Sequence, residues 1–462
     1  MDRSNAMAAA AASSGSRHEK GPSSVLLDFR GYSAGRKNAS TASSKASTGH
    51  PIEVTFCIMS PPALSHFSVH CPGLQLPPDD VHLEPKAIAT ADDLVLLRVP
   101  VNTLGKSFFE HNDYFVYMAH DQDPKLDLLP HPGRLGDEDF AILGCGADGE
   151  KQYVVAALGP RSVFTFRLHL YRSKPGGETG SWTSQTVSVE EPLRDTVCPV
   201  PDTAERLVYH ATTKVITLGG ANGTVGWVDL WRGILLCDVL EESPKLRDLP
   251  LPWPVRGNWR RYLSDCESFC RDITVSQDRD SIKYVEMEII PPRIVTTKIP
   301  GTPEPVTYLQ WVQSCRRPPQ TTRSLVPGQW RATTWSMPIA VTSWDDWRTE
   351  CTARSLELHV DNPMHYELLQ KLMRSGGDEG AKETTLPLRF LHMSYPTLSL
   401  DDDDVVYLLC KAANRGDMGL VIAIDVRKKE LRGVAELDSQ KNTSSRSCYL
   451  ASGISKTYQD YW

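Results

Sequence analysis

Glycines at 144, 146 and 149 fit the G-x-G-x-x-G spacing of a dinucleotide site and follow the apolar run 140–143. That spacing holds a pyrophosphate only when a helix opens directly behind it, because the first turn of the helix supplies the amides. Residues 151–157 read instead as a second strand, so Ala147-Asp148-Gly149 is expected to be a hairpin turn. His66, His70 and Cys71 lie close together, and three residues separate Cys266 from Cys270. Structural zinc takes four ligands in tight pairs. Neither cluster has its second pair, and mostly buried, reduced thiols are the expectation. Asp401, Asp402, Asp403 and Asp404 form the densest acidic run. Calcium loops alternate their oxygens around a glycine turn, so a solvated turn is expected here.

No nucleophile elbow, P-loop or H-E-x-x-H helix occurs, so the sequence assigns no catalytic residue, no cofactor and no metal. The eleven tryptophans fall largely in pairs, at 227/231, 253/259, 330/335 and 344/347. Large aromatics anchor cores by default and recognition faces as the alternative. The candidates for an interaction surface are Trp227 and Trp231, together with the acidic turn at Asp401, Asp402, Asp403 and Asp404.

These residues must be positioned by short apolar runs, at 54–58, 94–99, 114–118, 153–158, 163–170, 215–218, 234–239, 273–275, 282–290, 405–409 and 420–426. Such lengths suit strands, and 33 prolines with 31 glycines supply the turns between them. A strand followed by a polar turn and a second, Lys/Leu-bearing strand occurs three times, at 113–130, 233–250 and 419–434. This pattern resembles the outer hairpin of a propeller blade. A mainly β, propeller-like fold with a few short helices is therefore expected, the alternative being an irregular multi-sheet β-sandwich. Asn362-Pro363 and the apolar spacing behind it predict a short helix that stops at Gly376-Gly377. Residues 291–329 hold eight prolines and read as a long Pro-rich loop. Residues 1–22, rich in Ala and Ser, read as a flexible tail ahead of a β-rich domain at 23–462.

A net charge of −7, with 50 basic and 57 acidic residues, provides no field to attract nucleic acid. Nothing approaches ~18 consecutive apolar residues, so no membrane partner is expected. Eleven cysteines without a C-x-x-C pair point to a reducing, intracellular setting, cytoplasm or nucleus rather than plastid.

Several blocks carry a family resemblance. They are Trp227-Val-Asp-Leu-Trp-Arg-Gly-Ile-Leu-Leu-Cys-Asp-Val-Leu240, Leu249-Pro-Leu-Pro252, Arg271-Asp-Ile-Thr-Val275, Ile282-Lys-Tyr-Val-Glu286, Trp330-Arg-Ala-Thr-Thr-Trp335, Leu391-His-Met-Ser-Tyr-Pro-Thr-Leu-Ser399, Asp402-Asp-Asp-Val-Val-Tyr-Leu-Leu409 and Gly433-Val-Ala-Glu436. In this order they resemble a plant family, expanded in grasses, known as domain of unknown function 1618. A looser similarity is to the β-propeller halves of F-box proteins, although no F-box is apparent here. The resemblance implies no settled activity and no catalytic residue. The functional expectation is a non-catalytic protein-interaction module with a protein partner; the alternative is an enzyme or small-molecule binder whose site is assembled from separate loops.

Overall fold

A strand that is apolar at consecutive positions needs cover on both faces of its sheet. Leu94–Pro100, Asn112–Met118 and Gly419–Asp425 are such strands, buried at every position. Radial stacking of small sheets supplies that cover. A computed structural model describes residues 23–73, 84–101, 112–120, 122–145, 152–174, 178–298, 306–316, 321–340, 343–374, 388, 391–412, 419–437 and 449–454. The tail expected over 1–22 lies outside these residues.

The first sheet is begun by β1 (Val25–Asp28), β2 (Tyr32–Ser33), β3 (Ala42–Lys45), β4 (Pro51–Cys57) and β5 (Leu64–His70). The second holds β6 (Lys86–Ala91), β7 (Leu94–Pro100), β8 (Asn112–Met118) and β9 (Lys125–Leu129). The third holds β10 (Phe140–Cys145), β11 (Gln152–Pro160), β12 (Thr165–Arg172) and β13 (Ser181–Ser188). After α1 (Leu193–Val197), the fourth holds β14 (Lys214–Gly219), β15 (Thr224–Asp229), β16 (Gly233–Asp238) and β17 (Leu246–Pro250).

The fifth sheet contains β18 (Arg271–Val275) and β19 (Ser281–Ile290). A separate hairpin then intervenes, β20 (Arg293–Lys298) with β21 (Thr321–Val326), carrying α2 (Tyr308–Arg316). β22 (Gln329–Pro338) and β23 (Arg348–Arg354) complete the fifth sheet, and α3 (Pro363–Arg374) leads to the sixth. That one is β24 (Leu391–Leu398), β25 (Val405–Ala412), β26 (Gly419–Asp425) and β27 (Glu430–Glu436). Finally β28 (Tyr449–Ser452) returns to pair antiparallel with β1, giving the order β28-β1-β5-β4-β3.

The fold is thus a six-bladed β-propeller, and the sandwich alternative is set aside. The first strands β6, β10, β14, β18 and β24 neighbour one another in turn, and β28 neighbours β24. Six hydrophobic cores fill the gaps between successive blades. The three repeated hairpins fall on β8–β9, β16–β17 and β26–β27, the outer pairs of the second, fourth and sixth blades.

Two sequence readings change. Residues 291–329 are not a plain loop: β20 and β21 pair along their whole length, from Arg293↔Val326 to Lys298↔Thr321. The β-branched Ile, Val and Thr residues of both segments make them strand formers despite the surrounding prolines. The thiols are also less buried than expected. Of the ten described, Cys198, Cys237, Cys270 and Cys410 are buried, while Cys57, Cys266 and Cys315 are exposed. The helix expected after Asn362 is α3, and the Asn362 side chain accepts the Met364 N–H at 2.9 Å. No helix among the described residues is long and apolar enough to cross a membrane.

Candidate interaction surface

Antiparallel connectivity sorts the loops of a blade onto two ends. The turns between first and second strands, and between third and fourth, emerge at one end of the ring. The turn between the middle strands and the crossover to the next blade emerge at the other. Exposed large apolar side chains follow this division. Among the described residues, all but Met59 and Trp344 lie on middle turns or crossovers: Val163, Phe164, Leu207, Val208, Trp253, Trp259, Leu356, Met364 and the arm that leaves the fifth blade. We call this end the crossover face.

The arm gives that face its largest projection. It inserts between β19 and β22, and Val306, Tyr308, Leu309 and Trp311 at its helix stand open to solvent, Leu309 at 71%. Tyr308 and Trp311 stack on each other, ring centroids 6.0 Å apart. At its root Ile290 and Ile294 are exposed as well. Beside the root, the crossover between the fourth and fifth blades presents Trp253 and Trp259, the latter 63% exposed, and the exposed Arg256 and Arg260.

This Trp-bearing crossover is held from beneath by one buried carboxylate. Glu286 Oε1 accepts the Val255 N–H (3.1 Å), the Asn258 amide (2.8 Å) and the Arg271 guanidinium (3.0 Å), and Oε2 accepts the Tyr284 hydroxyl (3.1 Å). Glu288 Oε1 accepts the Gly257 N–H at 2.8 Å. The Arg271 guanidinium lies 4.3 Å from the Trp231 ring, a cation–π contact inside the protein. A second network fixes the neighbouring crossover. Asp248 accepts hydrogen bonds from the Arg194 side chain and N–H and from the Tyr209 hydroxyl, and Arg194 donates to His210 Nδ1 at 3.1 Å. Burial, with Arg194, Arg206 and Arg232 nearby, holds the His210 pKa well below the ordinary imidazole value.

Trp227 and Trp231 do not belong to the surface. Trp227 is fully enclosed between the third and fourth blades and donates its indole N–H to the Asp139 carbonyl at 2.8 Å. Trp231 is equally buried and donates to the Asp265 carbonyl at 3.0 Å. Both are core anchors, and among the described residues the exposed tryptophans of the crossover face are those at 253, 259 and 311.

The acidic turn lies at the opposite end, between β24 and β25, with its carboxylates engaged inside the molecule. Asp401 accepts the Ser24 N–H at 2.8 Å and the Ser23 hydroxyl. Asp402 pairs with Arg432 at 2.8 Å and Asp404 with Arg427 at 2.7 Å. Asp403 accepts the Gln277 N–H at 3.1 Å and faces Lys283 at 3.5 Å. The turn therefore ties the sixth blade to the first and the fifth.

Near it, a cavity of about 300 Å³ opens among turns of the second to fifth blades, lined by Leu143, Cys145, Thr217, Gly220 and Arg279. Arg279 reaches Asp92 on the second blade through two bonds of 2.7 and 2.9 Å. Gly219, Gly220 and Gly223 adopt positive φ in the adjoining turn, which a side chain would resist.

Gly144 lies within β10, opposite Tyr153 of the antiparallel β11, so the glycine-rich segment joins two strands; Gly146 and Gly149 lie outside the described residues. Cys270 is buried, its pKa pushed up to about 12 by desolvation, while Cys266 is exposed 3.2 Å from the Ser268 hydroxyl. The two thiols thus occupy different environments. His66 stands edge-on to Tyr32, whereas His70 packs near Gly35. Among the described residues no group of three or more His, Cys, Asp or Glu gathers as metal ligands would.

No curated protein matches the chain. Among solved structures, the crystal structure of an ancestral GH74 enzyme is similar with a TM-score of 0.28 and 11% identity, over 93% of this chain and 40% of that one. The chain thus spans less than half the length of that enzyme. Residues 227–407 match the family model described as "Protein of unknown function (DUF1618)", running from the second strand of the fourth blade into the second strand of the sixth. This stretch contains the arm and the Trp-bearing crossover.

Proposed function

We propose that this protein is a non-catalytic protein-interaction module that docks a protein partner on its crossover face. The observation that carries the reading is the segregation of exposed apolar side chains onto that end of the ring, concentrated at Trp253, Trp259 and the arm. Apolar groups gathered at one end of a molecule, around rigid aromatic anchors, are the composition of a recognition face. The Glu286 and Asp248 networks support it by holding the crossovers fixed beneath these anchors, which lowers the ordering cost of binding. Protonated, buried thiols such as Cys237 and Cys270 suit a reducing compartment, cytoplasm or nucleus.

The test compares the full chain with a variant carrying Trp253→Ser, Trp259→Ser, Tyr308→Ser and Trp311→Ser as baits in cells that express it. Proteins recovered only by the unaltered chain are then purified and titrated against both forms. A directly binding protein whose affinity falls about 100-fold or more in the variant is the expected result. Identical recoveries on both baits would sink the reading.

The alternative, a small-molecule site assembled from several blades, is favoured by one observation, the cavity bridged by Asp92 and Arg279. A ligand there would raise the melting temperature in a metabolite screen, and Arg279→Ala would abolish the rise.

A further inference from the structure

We infer that the crossover face at the fifth blade takes an acidic protein segment with apolar anchors, and that the arm and the Trp253/Trp259 crossover grip it together. This rests on reading that face as a docking surface and adds the chemistry of its occupant.

The chain as a whole is at −7, yet residues 291–329 hold Arg293, Lys298, Arg316, Arg317 and Arg323 against the single acid Glu304. The adjacent crossover adds Arg256 and Arg260, both exposed. The nearest carboxylates on the fifth blade are turned inward. Glu286 is fully enclosed by its four donors, and Glu288 takes the Gly257 N–H and pairs with Arg331. Of these cations Arg256, Arg260 and Arg293 are described as exposed, on the same segments as the exposed aromatics, and the crossover's own exposed acid, Asp265, faces Arg261 at 3.7 Å. Arginine beside tryptophan suits a carboxylate that arrives next to an apolar side chain, because the guanidinium can bind the acid while its stem lies on the ring.

Geometry adds that the two parts act as one surface. Gly257 and Asn258 are hydrogen-bonded to Glu288 and to the Met287 carbonyl. The Trp-bearing crossover is thereby clamped to the end of the strand from which the arm departs.

A nucleic acid would also be drawn to basic and aromatic groups, but two observations favour protein. The chain carries net negative charge overall, which disfavours a polyanion extending beyond the patch. The exposed Ile290, Ile294, Val306 and Leu309 are aliphatic, and bases stack on aromatic or guanidinium planes rather than on these.

The experiment titrates the full chain with three fluorescent probes. The first is a short amphipathic peptide with Leu and Phe at helical spacing and Glu elsewhere. The second has the same sequence with Lys for every Glu, and the third is single-stranded oligothymidine. Two variants accompany it, Leu309→Ser with Trp311→Ser, and Arg256→Gln with Arg260→Gln and Arg293→Gln, each checked by thermal melting. The acidic peptide is expected to bind at least about tenfold tighter than the basic one, to weaken with salt, and to lose about tenfold in each variant. If only the apolar variant weakens binding and both peptides bind alike, the face docks protein but the acidic assignment fails. If neither variant changes peptide binding, both readings fail. Oligothymidine binding more tightly than the acidic peptide would overturn the inference in favour of nucleic acid.

Discussion

Glu286 and Arg271 show how a buried ion pair can serve a surface. Both side chains are fully enclosed. Such a pair contributes little net stability, but removing one member strands the other's charge. Glu286→Gln should therefore cost about 3–5 kcal/mol in urea denaturation; a loss under about 1 kcal/mol would show that water reaches Arg271. His210 makes a pH prediction. Its folded pKa lies well below the unfolded value near 6.5, so below that pH the unfolded chain binds a proton that the native chain refuses. Stability contributed by neutral His210 is complete above about pH 6.5 and falls as the medium is acidified. His210→Gln should flatten the unfolding profile between neutrality and pH 5, and parallel profiles for both proteins would refute this.

At the scale of elements, the arm should be dispensable to the blade that carries it. Ile290 and Gln329 face each other as the last pair of the β19–β22 ladder. A two-residue Asn-Gly turn can close such an antiparallel pair. Replacing residues 291–328 by Asn-Gly should leave the melting temperature within about 2 °C, as expected for a surface change, while abolishing partner binding. A fall of about 10 °C or more would mean that the arm is part of the fold. The strands themselves were legible in the sequence because period and length are local: the runs at 94–99, 234–239 and 420–426 coincide with β7, β16 and β26. The hairpin at 113–130 marked the outer edge of a blade for the same reason. The arm was not legible, since β20 and β21 are separated by more than twenty residues and their pairing is specified only across that distance. Trp227 and Trp231 were misplaced because periodicity says that a side chain is apolar, and burial depends on which neighbouring blade covers it. The pair at 253 and 259 differs from them in lying on a crossover rather than within the β15–β16 hairpin.

At the scale of the whole ring, the six inter-blade cores are unequal. Between the fifth and sixth blades, the buried cluster runs from Trp231 to Leu431 through strands of both sheets. Between the sixth and first, the described residues supply only Leu26, Val405, Tyr407, Val421, Ala423 and Tyr449. Hydrophobic stabilisation scales with the apolar area removed from water, so the ring should open first where that core is smallest. The Asp401 bonds to Ser23 and Ser24 lie at this seam, and their weight is greatest where packing contributes least. Native-state hydrogen exchange should find the amides of β1 and β28 at least about tenfold less protected than those of β19 and β24, a difference of about 1.4 kcal/mol in opening free energy. Asp401→Asn should lower protection further at β1 and β28 and leave β19 unchanged. Equal protection at every seam would mean that closure is cooperative around the whole ring. The result also bears on binding: the arm and the Trp-bearing crossover stand beside the largest described core, with the sixth blade between them and the seam expected to open first. A partner docked there would meet a surface whose supports stay folded while that next seam fluctuates.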